Sequence, residues 1–446
     1  MTDKDTASAG LAAADTSLRR ELGLGGAILM GLGAILGTGV FVSIGIGAGI
    51  AGSAVIPAIV IAALLALCNA LSAAQLAAAH PVSGGTYEYG YRYLNHWLGF
   101  VAGWMFLCAK SASAATAALG LAGYLVYRLD LAASWQIPLA LLAVVALTAI
   151  VLTGMRRSNR ANTLIVGITL VALTVLVVAG LPQALGDGYA RLTDFTVNGH
   201  PVGLAELLQA SALMFVAFTG YGRIATLGEE VHAPERTIPR AILTTLTISA
   251  VVYIAVAVVA VGILGSGALA AATRGDAAPL QRVADALSTP GVAWLVAIGA
   301  MTAMLGVLLN LILGLSRVLL AMGRRRDMPS AFARLNDDAS TPTIAVLVVG
   351  LIILGLTAIG SVETTWSFSA FTVLIYYALT NAAALRLPAT NRRYPRVFSW
   401  IGLAGCLGLA FWVDAAVWMS GLALLAIGLL WHAAVGAGPG PRSTQP

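Results

Sequence analysis

LGGAILMGLGAILGTGVFVSIGIGAGI, residues 24–50, runs for twenty-seven positions without a charge. An α-helix needs about 20 mostly apolar residues to cross the roughly 30 Å hydrocarbon core of a bilayer. The run is therefore long enough to span a membrane, yet it is interrupted near its middle by Gly37-Thr38-Gly39. A second run carries a matching interruption, Phe215-Val216-Ala217-Phe218-Thr219-Gly220-Tyr221-Gly222. Glycine costs an α-helix about 1 kcal/mol and permits non-helical backbone. Inside a membrane, irregular backbone is tolerated only where protein covers it or it lines a cavity.

The rest of the chain agrees with a membrane setting. Its 446 residues are 59% hydrophobic and 10% charged, with mean hydropathy +0.89. Soluble domains carry about 25% charged residues. Apolar runs fall near 24–50, 54–79, 94–126, 136–154, 161–181, 204–227, 240–265, 292–322, 343–360, 365–387, 397–413 and 415–433, which predicts an all-α integral membrane protein with twelve transmembrane helices. The expected organisation is a polar N-terminal tail over 1–21, a transmembrane domain over 22–433 and a polar tail over 434–446. The net charge of +6 does not point to nucleic acid, because the basic residues sit in short loops. Lys4 and sixteen arginines, among them Arg19, Arg20, Arg156, Arg236, Arg324, Arg392 and Arg442, fall in the termini and one set of alternate loops. The opposite set holds Arg128, Arg191, Arg274 and Arg282. The positive-inside rule then places both termini in the cytoplasm. Cys68, Cys108 and Cys406 lie far apart in apolar runs and read as small packing residues. The five histidines show no metal spacing, and neither a metal nor an organic cofactor is expected.

The broken runs are the first helices of two five-helix halves, about 22–181 and 203–387, and interruptions at matching places point to a transporter binding site. A half-helix starting near Gly39 offers free amides and a positive dipole end to an anion. Half-helices ending near Ala34–Ile35 and Ala217–Phe218 offer carbonyls to an ammonium. A zwitterionic amino acid presents both charges. The alternative is that these glycines only let helices pack closely.

Four stretches resemble the amino acid–polyamine–organocation transporter superfamily: GAILGTGVFVSIG from Gly33, PVSGGTYEYGYRYL over 81–94, FVAFTGYGRIATLGEEVHAPERTIPRAI over 215–242 and SRVLLAMGRRRDMP over 316–329. The resemblance covers about residues 20–390. It implies a five-plus-five inverted repeat of the LeuT-like kind, alternating access, and substrate contacts at Ile35, Gly37, Thr38, Gly39, Ala217, Phe218, Gly220 and Tyr221. Phe218 is the implied aromatic closing over the substrate from outside. Glu229 and Glu230 are the implied acids of a cytoplasmic gate, paired with Arg19 or Arg20; a solvated helix end is the alternative. Many proton-coupled members carry a lysine in helix 5, where this chain has Thr169, so the family's proton carrier does not transfer.

Lys110 is one of two lysines in the chain and lies inside the third run, roughly 24 Å of helix from either end. Ionisable residues at that depth face a cavity or a partner, and a buried lysine can shed its proton where an arginine stays charged. Three readings stay open: a titrating group that replaces a coupling sodium ion, a fixed cation bonded to a broken helix, or a direct substrate contact. Arg317 reads as a snorkelling side chain, Asn310 as either an interhelical bond or a site-lining group, and Ser111, Ser113 and Thr116 as packing hydroxyls.

The expected pocket backbone carries no Asp or Glu, which favours small neutral amino acids over cations. The function expected is therefore secondary active, proton-coupled transport of small neutral amino acids across a bacterial plasma membrane, with sodium coupling still open. An amine or polyamine exporter and an amino acid exchanger are the alternatives on the same fold. A channel lacks filter motifs, and an enzyme lacks a nucleophile–base or metal constellation. The partners expected are the amino acid and the bilayer, with no nucleic acid; the sequence does not set an oligomeric state.

Overall fold

A computed structural model describes residues 22–80, 84–154, 159–225, 231–336 and 341–436. Each apolar run is helical. In chain order these are α1 (Leu24–Ile35, resuming over Gly39–Ser43 and Ile44–Ala51), α2 (Val55–Ala79), α3 (His96–Arg128), α4 (Gln136–Leu152), α5 (Asn159–Leu185) and α6 (Leu204–Phe218, resuming at Gly222–Ala225). They continue as α7 (Pro234–Leu264), α8 (Val292–Arg324), α9 (Thr343–Ala358), α10 (Val362–Leu385), α11 (Arg396–Ala410) and α12 (Ala415–Gly436). Among the described residues, nine helical stretches are long and apolar enough to cross a membrane. The first of them, Leu24–Ala79, takes in both α1 and α2, and α9 and α11 are shorter apolar helices.

Local chemistry fixes several ends. The Asn95 side chain caps α3 by accepting from the Leu98 amide at 2.9 Å, and Ser361 caps α10 through the Thr364 amide at 3.2 Å. Gly52, at φ 58°, turns the chain from α1 into α2. α7 starts six residues before its apolar run, because Pro234 at the first helical position and Glu235 in the first turn form a good helix start. Thr86–Tyr93 forms a short helix before α3, and Ser266–Asp276 and Pro279–Ala286 form two more between α7 and α8. These helices are too polar to register as apolar runs.

α3 and α10 are the most enclosed helices, whereas α4 and α12 lie at the periphery. α3 packs chiefly on α10 and α8, α8 on α5, α2 on α7 and α6, and α7 on α1. Large apolar side chains such as Leu64, Leu142, Val178, Leu351 and Leu430 stand exposed around the bundle. Surface of that kind is stable against lipid, not water. The interior carries buried polar pairs that fix helix register: Thr116 with Thr365 and Ser113 with Ser369, each at 2.8 Å between α3 and α10.

Candidate functional site

The two interruptions meet in space. α1 stops at Ile35, and Leu36 turns extended at ψ 93°. The next backbone bonds run from the Val40 and Phe41 amides to the Gly37 carbonyl, both at 3.1 Å. Across from it, α6 stops at Phe218 and tightens through a single 3-10 turn, Thr219–Tyr221. Glycine is required here by proximity. A methyl on Gly39 would lie 2.8 Å from both the Ala217 Cβ and the Tyr253 hydroxyl, and one on Gly220 would strike the Ala34 carbonyl.

Carbonyls released at the breaks are held by side-chain hydroxyls. Tyr253 on α7 donates to the Ile35 carbonyl at 2.8 Å and lies 3.0 Å from that of Ala217, bridging the two broken helices. Tyr377 on α10 donates to the Thr219 carbonyl at 2.9 Å. Lys110 is buried, and its Nζ donates to Thr219 Oγ1 at 2.8 Å. That hydroxyl donates in turn to the Val216 carbonyl at 2.8 Å. The ammonium thus sits at the C-terminal, negative end of the first half of α6.

Two cavities share this place. A small one of about 40 Å³ is lined by Ile35, Thr38, Gly39, Ala217, Gly220, Lys110, Ser113 and Trp366, among others. A larger one of about 610 Å³ extends from Ala34, Lys110, Thr219 and Gly220 past Asn310 and Arg317 to Arg324 and Arg325. The site is therefore reached from the arginine-rich end. The other end is tied shut: Trp366 Nε1 donates to the Leu213 carbonyl at 3.0 Å and the Tyr124 hydroxyl to the Phe41 carbonyl at 2.9 Å.

Of the residues singled out in the sequence, Ile35, Thr38, Gly39, Ala217, Gly220 and Lys110 line the small cavity. Gly37 instead faces Val307 on α8. Phe218 is fully buried with its ring 5.0 Å from that of Tyr253, and Tyr221 packs 5.4 Å from the Tyr377 ring. Neither Phe218 nor Tyr221 lines either cavity. Thr169 is buried on α5 and bonds its own helix at the Ile165 carbonyl, 2.8 Å away. Asn310 and Arg317 line the large cavity. Glu229, Glu230, Arg19 and Arg20 lie outside the described residues. Tyr253, Tyr377 and Trp366 were not legible beforehand, since aromatics in apolar helices are commonplace and only their hydroxyl or indole partners mark them.

This broken-helix geometry agrees with sequence comparison. The family model for amino acid permeases matches residues 22–435. The chain belongs to the amino acid permease family. It is a transporter of the amino acid–polyamine–organocation superfamily, embedded in a membrane by multiple helices, and not an enzyme. An uncharacterized transporter of Mycobacterium tuberculosis is 43% identical over 415 residues, covering 92% of this chain and 90% of the relative. The branched-chain amino acid permease BcaP of Bacillus subtilis is 28% identical, covering 89% and 87%. Human cationic amino acid transporter 4 is 28% identical over 84% of this chain and 60% of its own.

Proposed function

We propose that this permease is a secondary active transporter of small amino acids lacking a cationic side chain. In this reading it works by alternating access across a bacterial plasma membrane and is coupled to protons. Twelve crossings with both termini cytoplasmic, and two inverted five-helix repeats, belong to the same reading. The observation that carries it is the meeting of two broken helices at a small cavity, open toward one end of the bundle and tied shut at the other. A half-helix start offers amides to a carboxylate, and half-helix ends offer carbonyls to an ammonium.

The repeat is supported by the packing. Exchanging α1–α5 for α6–α10 converts the pair α3·α10 into α8·α5 and α2·α6 into α7·α1, and all four pairs are extensive. Coupling is assigned to Lys110, the buried cation at the cavity junction. Thr169 lines neither cavity and is bonded within its own helix.

The test is uptake by proteoliposomes of the purified protein in sodium-free buffer, with and without a proton gradient, competed by amino acids and polyamines. Gradient-stimulated uptake competed by α-amino acids supports the assignment. Uptake competed by polyamines alone, or indifferent to the gradient, refutes the substrate class or the coupling respectively.

A further inference from the structure

We infer that the preferred substrates are acidic amino acids, with Lys110 as the counter-ion of the side-chain carboxylate; this rests on the amino acid transport proposed above. The small cavity has two positive foci and no acid among the described residues of its wall. One focus is the start of the second half of α1 at Thr38–Gly39, where the Thr38 hydroxyl is buried and unpartnered among the described residues. A polar atom left so is expensive unless something occupies the cavity beside it. The other focus is the Lys110 ammonium, whose bond to the Thr219 hydroxyl is to a neutral group. A buried cation without an anionic partner gains most from a ligand that supplies one.

The acceptor side is sparse by comparison. The Thr219 and Val216 carbonyls each already accept a backbone amide and a side-chain hydroxyl, and those of Ile35 and Ala217 share the one hydroxyl proton of Tyr253. The Ile35 and Ala217 carbonyls keep lone-pair capacity, enough for a single α-ammonium. A second cation would have to share this corner with Lys110. An α-carboxylate at Thr38–Gly39 and a side-chain carboxylate at Lys110 satisfy both foci. The route in has the same sign: Lys110, Arg317, Arg324 and Arg325 line it, and the one acid on its described wall, Glu88, is bonded to Arg325 at 2.5 Å. Such a lining raises the local concentration of anions and repels cations.

The experiment is uptake of labelled L-aspartate, L-glutamate, L-alanine and L-arginine by proteoliposomes of the full chain and its Lys110→Met variant. Thermal stabilisation of each protein by each amino acid in detergent is measured in parallel. The wild type is expected to prefer aspartate or glutamate and to be stabilised by it. Lys110→Met is expected to raise the concentration of aspartate or glutamate needed for stabilisation by roughly one to two orders of magnitude while that of alanine changes far less; this binding readout does not depend on proton coupling. Should the variant not fold, the wild-type preference alone decides. Uptake of alanine or arginine with aspartate and glutamate neither carried nor stabilising overturns the acidic preference but leaves amino acid transport standing. If none of the four is carried or stabilises, both readings fall. An acidic preference that survives Lys110→Met intact overturns the counter-ion role.

Discussion

Gly220→Ala tests whether the two broken helices must touch. The added Cβ would lie 2.5 Å from the Ala34 carbonyl carbon and 2.7 Å from Ile35 Cγ1. Carbon atoms pack best at about 3.5–4.0 Å, so the chains must separate by about 1 Å. Rotamer changes cannot absorb this, because the principal obstacle is backbone. Overpacking of this kind costs about 1–3 kcal/mol, a roughly 5- to 150-fold loss in the binding-competent arrangement at about 1.4 kcal/mol per decade. Separation also moves Thr219, the neighbour that holds Lys110. Gly167→Ala on α5 is the control, since nothing lies within 4 Å of its new methyl. The assay is substrate affinity and uptake in proteoliposomes at matched protein levels. A Gly220→Ala protein that inserts normally and binds substrate like Gly167→Ala would refute the close-contact argument.

Other outcomes follow from the same geometry. Tyr253→Phe removes the hydroxyl bridging the Ile35 and Ala217 carbonyls; we expect a loss of about 1–3 kcal/mol, read as a lower Tm in detergent with weakened uptake, and an unchanged Tm would contradict the bridge. Asp327 is buried and accepts hydroxyls from Tyr87 at 2.6 Å and Tyr91 at 2.6 Å. Asp327→Ala should leave one buried donor, Tyr87, and one half-buried donor, Tyr91, unmatched and lower the Tm by more than Arg325→Ala does, since the Arg325–Glu88 pair is partly exposed. A cysteine placed at Val318, on the large cavity, should react quickly with a membrane-impermeant maleimide added to the arginine-rich side. One at Phe41, buried beyond the break, should not; equal rates would refute a pathway open to one face.

Much was legible in the order of residues because a bilayer imposes one-dimensional rules. Length and hydropathy of each run give a membrane helix, since no other short element satisfies its own backbone in lipid. Gly37-Thr38-Gly39 and Thr219-Gly220-Tyr221 disclose the breaks because glycine is costly in a helix. Lys110 stands out because a cation at that depth is expensive. The start of α7 at Pro234 and the short helix Thr86–Tyr93 were missed, since both are too polar for a rule built on apolar length. What the sequence determined by itself is the membrane setting, the family, the position of both breaks and the oddity of one lysine. Only the tertiary structure decided what those parts meet: that Tyr253 ties the breaks together, that Lys110 reaches Thr219 across 109 positions of chain, and that Thr169, Phe218 and Tyr221 line neither cavity. The reason is physical. Backbone satisfaction in lipid is a local constraint carried within each helix, whereas a partner for a hydroxyl or an ammonium is chosen by helix rotation and packing, which no single segment encodes.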